Sequence, residues 1–278
     1  MTDRIAASIE LSPKQAVEST ELRGLFPRGV RVYMTDIGTD TSRTIAAGAA
    51  RLADLGYVAV PHFASRRLTS HKDLEARIRM LAEEANVGDV LVIGGGLDRP
   101  AGEFTSTMDV LETGLFDKYG IKRIGVAGHP EGSPDFSKDA AEEALRFKQE
   151  FAKRTDAEMR IVTQFGFDAP GFIRWADGLR NAGIELPVHL GVAGPAKVTT
   201  LVKFAVMCGV GASVQFIKRR AASLGTMVKG FDPEEIVKPI EAHVRDSEQT
   251  PIEQIHVFAF GGIKKAAEWL KERGSWVA

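Results

Sequence analysis

The amino-acid sequence predicts an α/β protein, a (β/α)8 TIM barrel that forms a single domain over residues 1–278. Three observations lead to this fold class: short β-branched segments alternate with longer helical ones, about eight short segments occur, and several of these are apolar throughout. Strands that helices cover on both faces are apolar along their whole length, which is typical of parallel sheets. Eight parallel strands in about 250 residues is the arrangement of a TIM barrel.

The individual elements follow one another as βα units. The predicted strands are Ile5–Leu11, Val30–Ile37, Val58–Ala64, Asp89–Ile93, Arg123–Ala127, Arg160–Phe167, Pro187–Val192 and Gln254–Phe260. The predicted helices are Thr41–Leu55, Lys72–Ala85, Phe136–Arg154, Phe172–Ala182, Ala196–Cys208, Pro233–Val244 and Ile263–Arg273. A doubly wound open sheet with a helical appendage is the alternative topology for this alternation.

Local signals support particular element boundaries. Ser70 is placed to cap the helix that starts at Lys72, and Asp232 is placed to cap the helix that starts at Pro233. The segment Gly209–Gly230 fits a short strand or an extra helix, and we favour the helix. No repeat, low-complexity tract or proline-rich linker divides the chain, so one domain is expected.

Composition excludes several classes of function. The chain carries 36 Lys+Arg against 37 Asp+Glu, with a formal net charge of -1 and a pI near 6.6. Proteins that bind nucleic acid or anionic membranes mainly through charge are more basic, so we expect neither partner. The single cysteine, Cys208, rules out a disulfide framework and a multi-cysteine metal site, and we expect no bound metal. We expect a cytoplasmic protein without a signal peptide, and the sequence is compatible with a homo-oligomer.

Polar or unusual residues follow most of the predicted strands. The carboxyl ends of barrel strands form the active site in this fold, so these residues are the candidates. They are Glu10, Thr35, Asp36, His62, Gly94–Gly96, Asp98, His129–Glu131, Gln164, Asp168 and Gly194-Pro195. Singly, each has a structural explanation, such as a solvated carboxylate, a packed histidine or a tight glycine turn. The glycine run lacks the G-x-G-x-x-G spacing of a Rossmann turn, and the chain has no P-loop or G-x-S-x-G elbow.

Taken together, these strand ends resemble the 5,10-methylenetetrahydrofolate reductase family. The resemblance rests, in chain order, on Ser8–Pro13, His62, Val126–Glu131, Ile161–Asp168, Phe172–Trp175, Ala182–Ile184 and Lys203–Ala205. It spans nearly the whole chain. Its most specific pieces are the proline–glutamate loop and, one helix later, the Thr-Gln-Phe-Gly-Phe-Asp strand at 163–168.

The resemblance implies a barrel that reduces 5,10-methylenetetrahydrofolate to 5-methyltetrahydrofolate with electrons from NADH or NADPH. Glu10 falls on the family's acid, which helps protonate the folate nitrogen so that the methylene bridge opens to an iminium. Gln164 falls on the glutamine that hydrogen-bonds the pterin, and Asp168 is assigned to substrate binding with it. Phe204 falls on an aromatic that packs on the folate or nicotinamide, with a core position on its helix as the alternative.

The same resemblance predicts a cofactor site with departures from the family pattern. Family members hold FAD with a Thr-Tyr-Gly-Ala turn, an Arg-Gly-Asp turn and a Tyr-Pro-Glu-x-His-Pro loop. Here these places read Thr35–Gly38, Gly94–Gly96 and His129–Pro134, without the aromatic, the arginine, the aspartate and the second histidine; Asp98 replaces the aspartate only if the turn is longer. The implied cofactor-binding residues are Thr35, His62, Gly95, Gly96, His129, Glu131 and Lys148.

Loss of charge-assisted contacts weakens the binding of a phosphate-bearing dinucleotide, so we expect flavin binding to be weak, altered or absent. In the extreme case, NADH passes hydride directly to the folate iminium. One alternative is an FAD-dependent reductase with replaced contacts. Another is a folate- or nucleotide-binding barrel without turnover. A third is a one-carbon methyltransferase, but Cys208 falls in a predicted helix and is expected to be a packed residue.

Overall fold

The computed structural model describes residues 4–210 and 230–276, and its eight strands are hydrogen-bonded in the order β1 to β8 as a closed barrel. This confirms the predicted (β/α)8 fold. The strands are β1 Ala6–Leu11, β2 Arg31–Met34, β3 Val58–Ala64, β4 Asp89–Ile93, β5 Arg123–Gly128, β6 Glu158–Gly166, β7 Val188–Ala193 and β8 Ile252–Phe258. The pairs of β1 with β8, β2 with β3, β3 with β4, and β7 with β8 are parallel.

Ten α-helices lie within the described residues. They are α1 Pro13–Glu18, α2 Ser42–Asp54, α3 His71–Ala85, α4 Thr107–Leu111, α5 Leu115–Lys118, α6 Lys138–Ala152, α7 Ala169–Asn181, α8 Val198–Met207, α9 Glu234–Asp246 and α10 Ile263–Glu272. Short 3₁₀ turns occupy Thr20–Leu22 and Ser65–Arg67. The helix favoured for Gly209–Gly230 cannot be compared with the structure, because residues 211–229 lie outside the described residues.

Several predicted boundaries need correction. The strand predicted to Ile37 ends at Met34. Beyond its end, the Asp36 side chain forms an ion pair with Arg77. Ser70 caps α3 as predicted, accepting from the Asp73 N–H at 3.1 Å. The helix predicted from Pro233 begins one residue later, although the Asp232 carboxylate still accepts from the Glu234 N–H at 3.0 Å. Cys208 is exposed just after α8, so its predicted packed position is wrong.

The chain divides into two compact units. The first comprises Met1–Ile9, Gly128–Gln149 and Ile161–Ala278, and the second comprises Glu10–Ala127 and Glu150–Arg160. Each unit therefore combines segments that are distant in the chain. That residues 1–278 act as one domain stays a prediction.

A buried charge network joins the amino ends of strands in the second unit. Asp89, at the start of β4, has no solvent exposure and accepts from Arg31 at 2.9 Å and from Arg160 at 2.7 Å. Arg123 lies 3.3 Å from the same carboxylate, and Arg160 also donates to the Tyr33 hydroxyl at 2.9 Å. Charge pairing at this end of a barrel serves stability, since the chemistry of the fold belongs to the other end.

In the first unit, α9 and the last described residues hold β1. The buried Glu241 carboxylate accepts from the Ile5 N–H and from Arg4, each at 3.0 Å. Trp276 donates from its indole nitrogen to the Ala7 carbonyl, also at 3.0 Å. These contacts close the strand against elements more than 230 residues away in the chain.

Candidate active site

The end of β6 in the first unit carries Gln164 on an irregular stretch of strand. The register between β6 and β7 shifts between Val162 and Phe165, which marks a bulge that changes the direction of the intervening side chains. Thr163 stabilises this bulge by donating to the Gln164 carbonyl at 2.9 Å and accepting from the Gly191 N–H at 2.8 Å. The Gln164 side-chain oxygen accepts from the Phe165 N–H at 3.1 Å. The carboxamide is thus fixed through its oxygen, and its NH₂ group keeps its donor capacity.

Aromatic rings surround the carboxyl ends of β6 and β8. Phe204 on α8 is half-buried and stacks on Phe260, with ring centroids 4.2 Å apart and an interplanar angle of 17°. Phe260 also meets Phe165 edge-on at 4.8 Å. The remaining rings of this cluster are Phe167, Phe231 and Phe258. Phe204 is therefore neither a plain core residue nor isolated, and its partner Phe260 is a candidate that the sequence did not indicate.

Asp168 and Glu131 make contacts within the backbone of the first unit. The Asp168 carboxylate caps α7, accepting from the Gly171 N–H at 3.1 Å. The Glu131 carboxylate lies against the end of β6 and accepts from the Phe167 N–H at 3.4 Å. A Cβ atom at Gly166 would collide with the same carboxylate, so only glycine fits there. Both acids organise loops, and their assignments to substrate and cofactor stay predictions.

A buried cation lies beside a neutral histidine after β5. Lys148 on α6 is only 5% exposed, and burial lowers its pKa to about 8. Burial, assisted by the Lys148 charge, lowers the pKa of His129 to about 4, so its imidazole is neutral at pH 7. The His129 ring packs edge-on against Phe136 at 4.9 Å. Within residues 4–210 and 230–276, no carboxylate lies within ion-pair distance of Lys148.

In the second unit, the ends of β2 and β3 are held by a buried ion pair. Arg77 on α3 donates to the Asp36 carboxylate at 2.9 Å and to the His62 carbonyl at 2.7 Å. Asp36 also accepts from the Gly38 N–H at 3.2 Å. The Arg77 guanidinium lies 4.7 Å above the Phe63 ring. Asp36 therefore organises the strand ends, and this role depends on a partner 41 residues later that no sequence spacing indicated.

The other predicted residues of the second unit lie at the same ends of their strands. Glu10 is half-buried at the end of β1, and Thr35 directly follows β2, donating its N–H to the Leu11 carbonyl at 3.1 Å. His62 is buried on β3 and meets the Tyr33 ring edge-on at 6.0 Å. Gly95 and Gly96 have positive φ values of 99° and 60°, and a Cβ at Gly95 would collide with Ala64. The backbone conformation therefore favours glycine at both positions.

Two classes of feature were not found. Among the described residues, no group of three or more His, Cys, Asp or Glu side chains is arranged to hold a metal ion. No helix in the part of the chain that the structure describes has both the length and the apolar character needed to cross a membrane.

Comparison with known sequences identifies one family. The sequence model described as methylenetetrahydrofolate reductase matches residues 25–268. The 5,10-methylenetetrahydrofolate reductase of Pectobacterium carotovorum subsp. carotovorum is 28% identical over 222 residues, which cover 74% of this chain and 70% of that protein. Methylenetetrahydrofolate reductase 1 of Schizosaccharomyces pombe is 41% identical over 70 residues, 25% of this chain. The matched segment spans only 11% of that yeast protein's length.

Comparison with solved structures identifies the fold. The carboxyl transferase domain of Rhizobium etli pyruvate carboxylase superposes with a TM-score of 0.52 at 9% identity, over 98% of this chain and 46% of that one. A GH18 chitinase from Pseudoalteromonas aurantia superposes with a TM-score of 0.50 at 11% identity, over 97% and 98% of the two chains. At such low identity, these similarities concern the barrel architecture alone.

Proposed function

The chain belongs to the methylenetetrahydrofolate reductase family, and from this premise we propose that it reduces 5,10-methylenetetrahydrofolate to 5-methyltetrahydrofolate with NADH or NADPH. The observation that carries the proposal is the family match over residues 25–268, which includes Gln164, Lys148 and Phe204. Their placement at or beside the carboxyl ends of strands supports it, because this end of a barrel carries the chemistry.

Glu10 is the proposed proton donor. It lies at the carboxyl end of β1, half-buried, but precedes residue 25, so the family match does not extend to it. Its carboxyl group would give a proton to the folate nitrogen, which lets the methylene bridge open to an electrophilic iminium. Proton transfer from a positioned carboxylic acid accelerates such a step by roughly 10²–10⁴-fold. A hydride then converts the iminium carbon into the methyl group of the product.

Gln164 and the Phe204–Phe260 stack are the proposed substrate contacts. The Gln164 oxygen is engaged by the Phe165 N–H, so the amide NH₂ is oriented to donate to the pterin ring. The stacked rings of Phe204 and Phe260 offer an aromatic surface to a planar ligand. Offset or edge-on aromatic contacts of this kind contribute about 0.5–1.5 kcal/mol beyond the buried area. The fixed amide and the aromatic surface belong to the same unit.

The residues after β5 fit a phosphate-bearing cofactor. Lys148 is a buried cation that pairs with no described carboxylate, and a phosphoryl group would supply the missing charge. His129, neutral at pH 7, can donate a hydrogen bond to the same group without adding charge. When bound, NAD(P)H supplies the hydride, either directly or through FAD. We propose that flavin is held weakly or not at all, because the chain lacks the aromatic, the aspartate and the second histidine that the family resemblance predicts around FAD.

An absorption spectrum and an activity assay test this function together. The purified protein should oxidise NADH or NADPH only when methylenetetrahydrofolate is present, and it should show no flavin band near stoichiometric occupancy. A stoichiometric flavin band would disprove direct hydride transfer while leaving the reductase assignment intact. Absence of turnover with either nucleotide, with and without added FAD, would disprove the reductase assignment.

A further inference from the structure

Two adjacent arginines follow β3 and form no ion pair with any described residue. Arg66 and Arg67 lie on the 3₁₀ turn Ser65–Arg67 and are half-buried. Their Nε atoms are buried and have no hydrogen-bond partner, and within the described residues neither guanidinium pairs with a carboxylate. Arg77, on the next helix, differs because Asp36 neutralises it at 2.9 Å. A guanidinium loses hydration when it is partly buried, so two unpaired ones together favour binding of an anion.

The loop after β4 forms backbone hydrogen bonds with Arg66 through both its N–H and its carbonyl group. The Arg66 N–H donates to the Gly94 carbonyl at 2.9 Å, and the Arg66 carbonyl accepts from the Ala101 N–H at 2.8 Å. Its side chain donates from Nη2 to the Asp98 carbonyl at 3.3 Å, which places the guanidinium along the turn. This is the turn in which the family resemblance predicted an arginine and the chain has glycines. Arg66 thus brings a guanidinium to the turn from the neighbouring strand.

Arg67 is positioned by a second glycine. A Cβ atom at Gly38 would collide with the Arg67 guanidinium, so the absence of a side chain at Gly38 makes room for that group. Gly38 has a φ of 81°, which other residues rarely adopt. The Arg67 side chain therefore crosses the turn after β2, while that of Arg66 follows the turn after β4.

We propose that Arg66 and Arg67 bind a phosphoryl group of the dinucleotide, taking the place of the arginine that the turn after β4 lacks. The inference rests on the proposed function for the identity of the ligand. The planar fork of a guanidinium matches the oxygens of a phosphate in a bidentate geometry, and its charge is independent of pH. The backbone N–H groups of a turn with positive φ at Gly95 and Gly96 provide further donors for an anion.

Affinity measurements on charge-removing variants test the site. We expect R66Q and R67Q each to raise the Kd for NADH by about tenfold or more, as loss of a charge-assisted contact implies. R79Q removes an exposed arginine on α3 and serves as the matched control, with an expected change below about twofold. R66K and R67K retain charge without the fork, and we expect intermediate Kd values. Thermal unfolding of every variant checks that it is folded.

The choice of probes identifies the source of the phosphoryl group. A loss for NADH supports a nicotinamide dinucleotide, and a loss for FAD alone supports the flavin. Inorganic pyrophosphate tests the site without turnover, so its binding to the wild type and loss in R66Q and R67Q support the site even if the reductase activity fails. The proposal is overturned if no probe binds the wild type, or if both folded variants bind every probe within twofold of it. A loss confined to 5-methyltetrahydrofolate overturns it as well.

Discussion

The two compact units differ in whether the most deeply buried charges near the carboxyl ends of their strands are paired. In the second unit, Arg77 and Asp36 neutralise each other and bind the backbone at His62 and Gly38. In the first unit, Lys148 is equally buried but pairs with no described carboxylate, and aromatic rings lie around the neighbouring strand ends. A buried ion pair such as Asp36–Arg77 holds neighbouring elements together. A buried charge without a partner lowers stability, and such charges are typical of ligand-binding sites.

The largest expected effect is the loss of activity on replacing Glu10, the proposed acid at the end of β1. Glu10→Gln should lower the rate of NADH oxidation by roughly 10²–10⁴-fold, because the amide cannot give a proton to the folate nitrogen. Folate affinity should stay within a few fold of the wild type. The exposed Glu18→Gln on α1 is the matched control and should turn over normally. Normal turnover in Glu10→Gln would remove the acid assignment.

Breaking the Asp36–Arg77 ion pair tests whether this paired charge stabilises the second unit. Asp36→Ala leaves the Arg77 guanidinium buried without its carboxylate, so the free energy of unfolding should fall by about 3–5 kcal/mol. Urea denaturation measures the loss. Asp54→Asn, at the exposed end of α2, should change stability by less than about 0.5 kcal/mol. A small loss for Asp36→Ala would show that the pair is not structural.

Replacing Lys148 tests whether a buried charge without a described carboxylate partner lowers the stability of the first unit. Burial lowers the pKa of Lys148 to about 8, from 10.5 in the unfolded chain. Below pH 8 the lysine is charged in both states, so the free energy of unfolding is reduced by the full cost of burying this charge. This cost disappears as the pH rises from 8 to above 10.5. Lys148→Met should therefore stabilise the ligand-free protein at pH 7 by up to about 3 kcal/mol, since one pKa unit is worth about 1.4 kcal/mol.

The gain in Lys148→Met should vanish near pH 10.5, and the variant should bind dinucleotide more weakly than the wild type. Urea denaturation at pH 7 and at pH 10.5 measures the first effect, and titration with NADH measures the second. Lys153→Met changes an exposed lysine just after α6 and should show neither effect. If Lys148→Met changed neither the stability nor the NADH affinity, Lys148 would not be part of a dinucleotide site.

The aromatic surface gives the smallest expected effect. Phe260→Leu removes the ring that stacks on Phe204 but keeps an apolar side chain. The KM for methylenetetrahydrofolate should rise about two- to tenfold, corresponding to the 0.5–1.5 kcal/mol of a ring contact. Phe147→Leu, on an exposed ring of α6, is the control and should leave the KM unchanged. An unaffected KM in Phe260→Leu would assign the stack to packing of α8.

The strands were predictable from the sequence because burial on both faces makes them apolar throughout. Helices α1, α4 and α5 were missed, since four to six residues are too few to show a helical period. The available signals for α1 and α4 were the capping boxes of Ser12 with Gln15 and of Ser106 with Asp109, whereas α5 has no side-chain cap.

Site residues were predictable from the sequence only where they lie at the carboxyl ends of the barrel strands. Glu10, His62 and Gln164 could be chosen because they stand at strand ends. Arg66 gains its significance from contacts with residues 28 to 35 positions later in the chain, which spacing alone does not reveal. Asp168 was assigned to substrate, but the Asp-Ala-Pro-Gly sequence that begins with it also predicts the helix cap that the structure shows.

The Asp89 network has a consequence for synthesis on the ribosome. Arg160 reaches Asp89 from 71 residues away and Tyr33 from 127 residues away, and it belongs to a segment that joins the second unit only after β5. Until residue 160 has emerged, a nascent chain that already holds β2 to β5 lacks the buried donor to the Asp89 Oδ1 atom. The second unit should therefore reach its full stability late in translation, after more than half of the chain has been made.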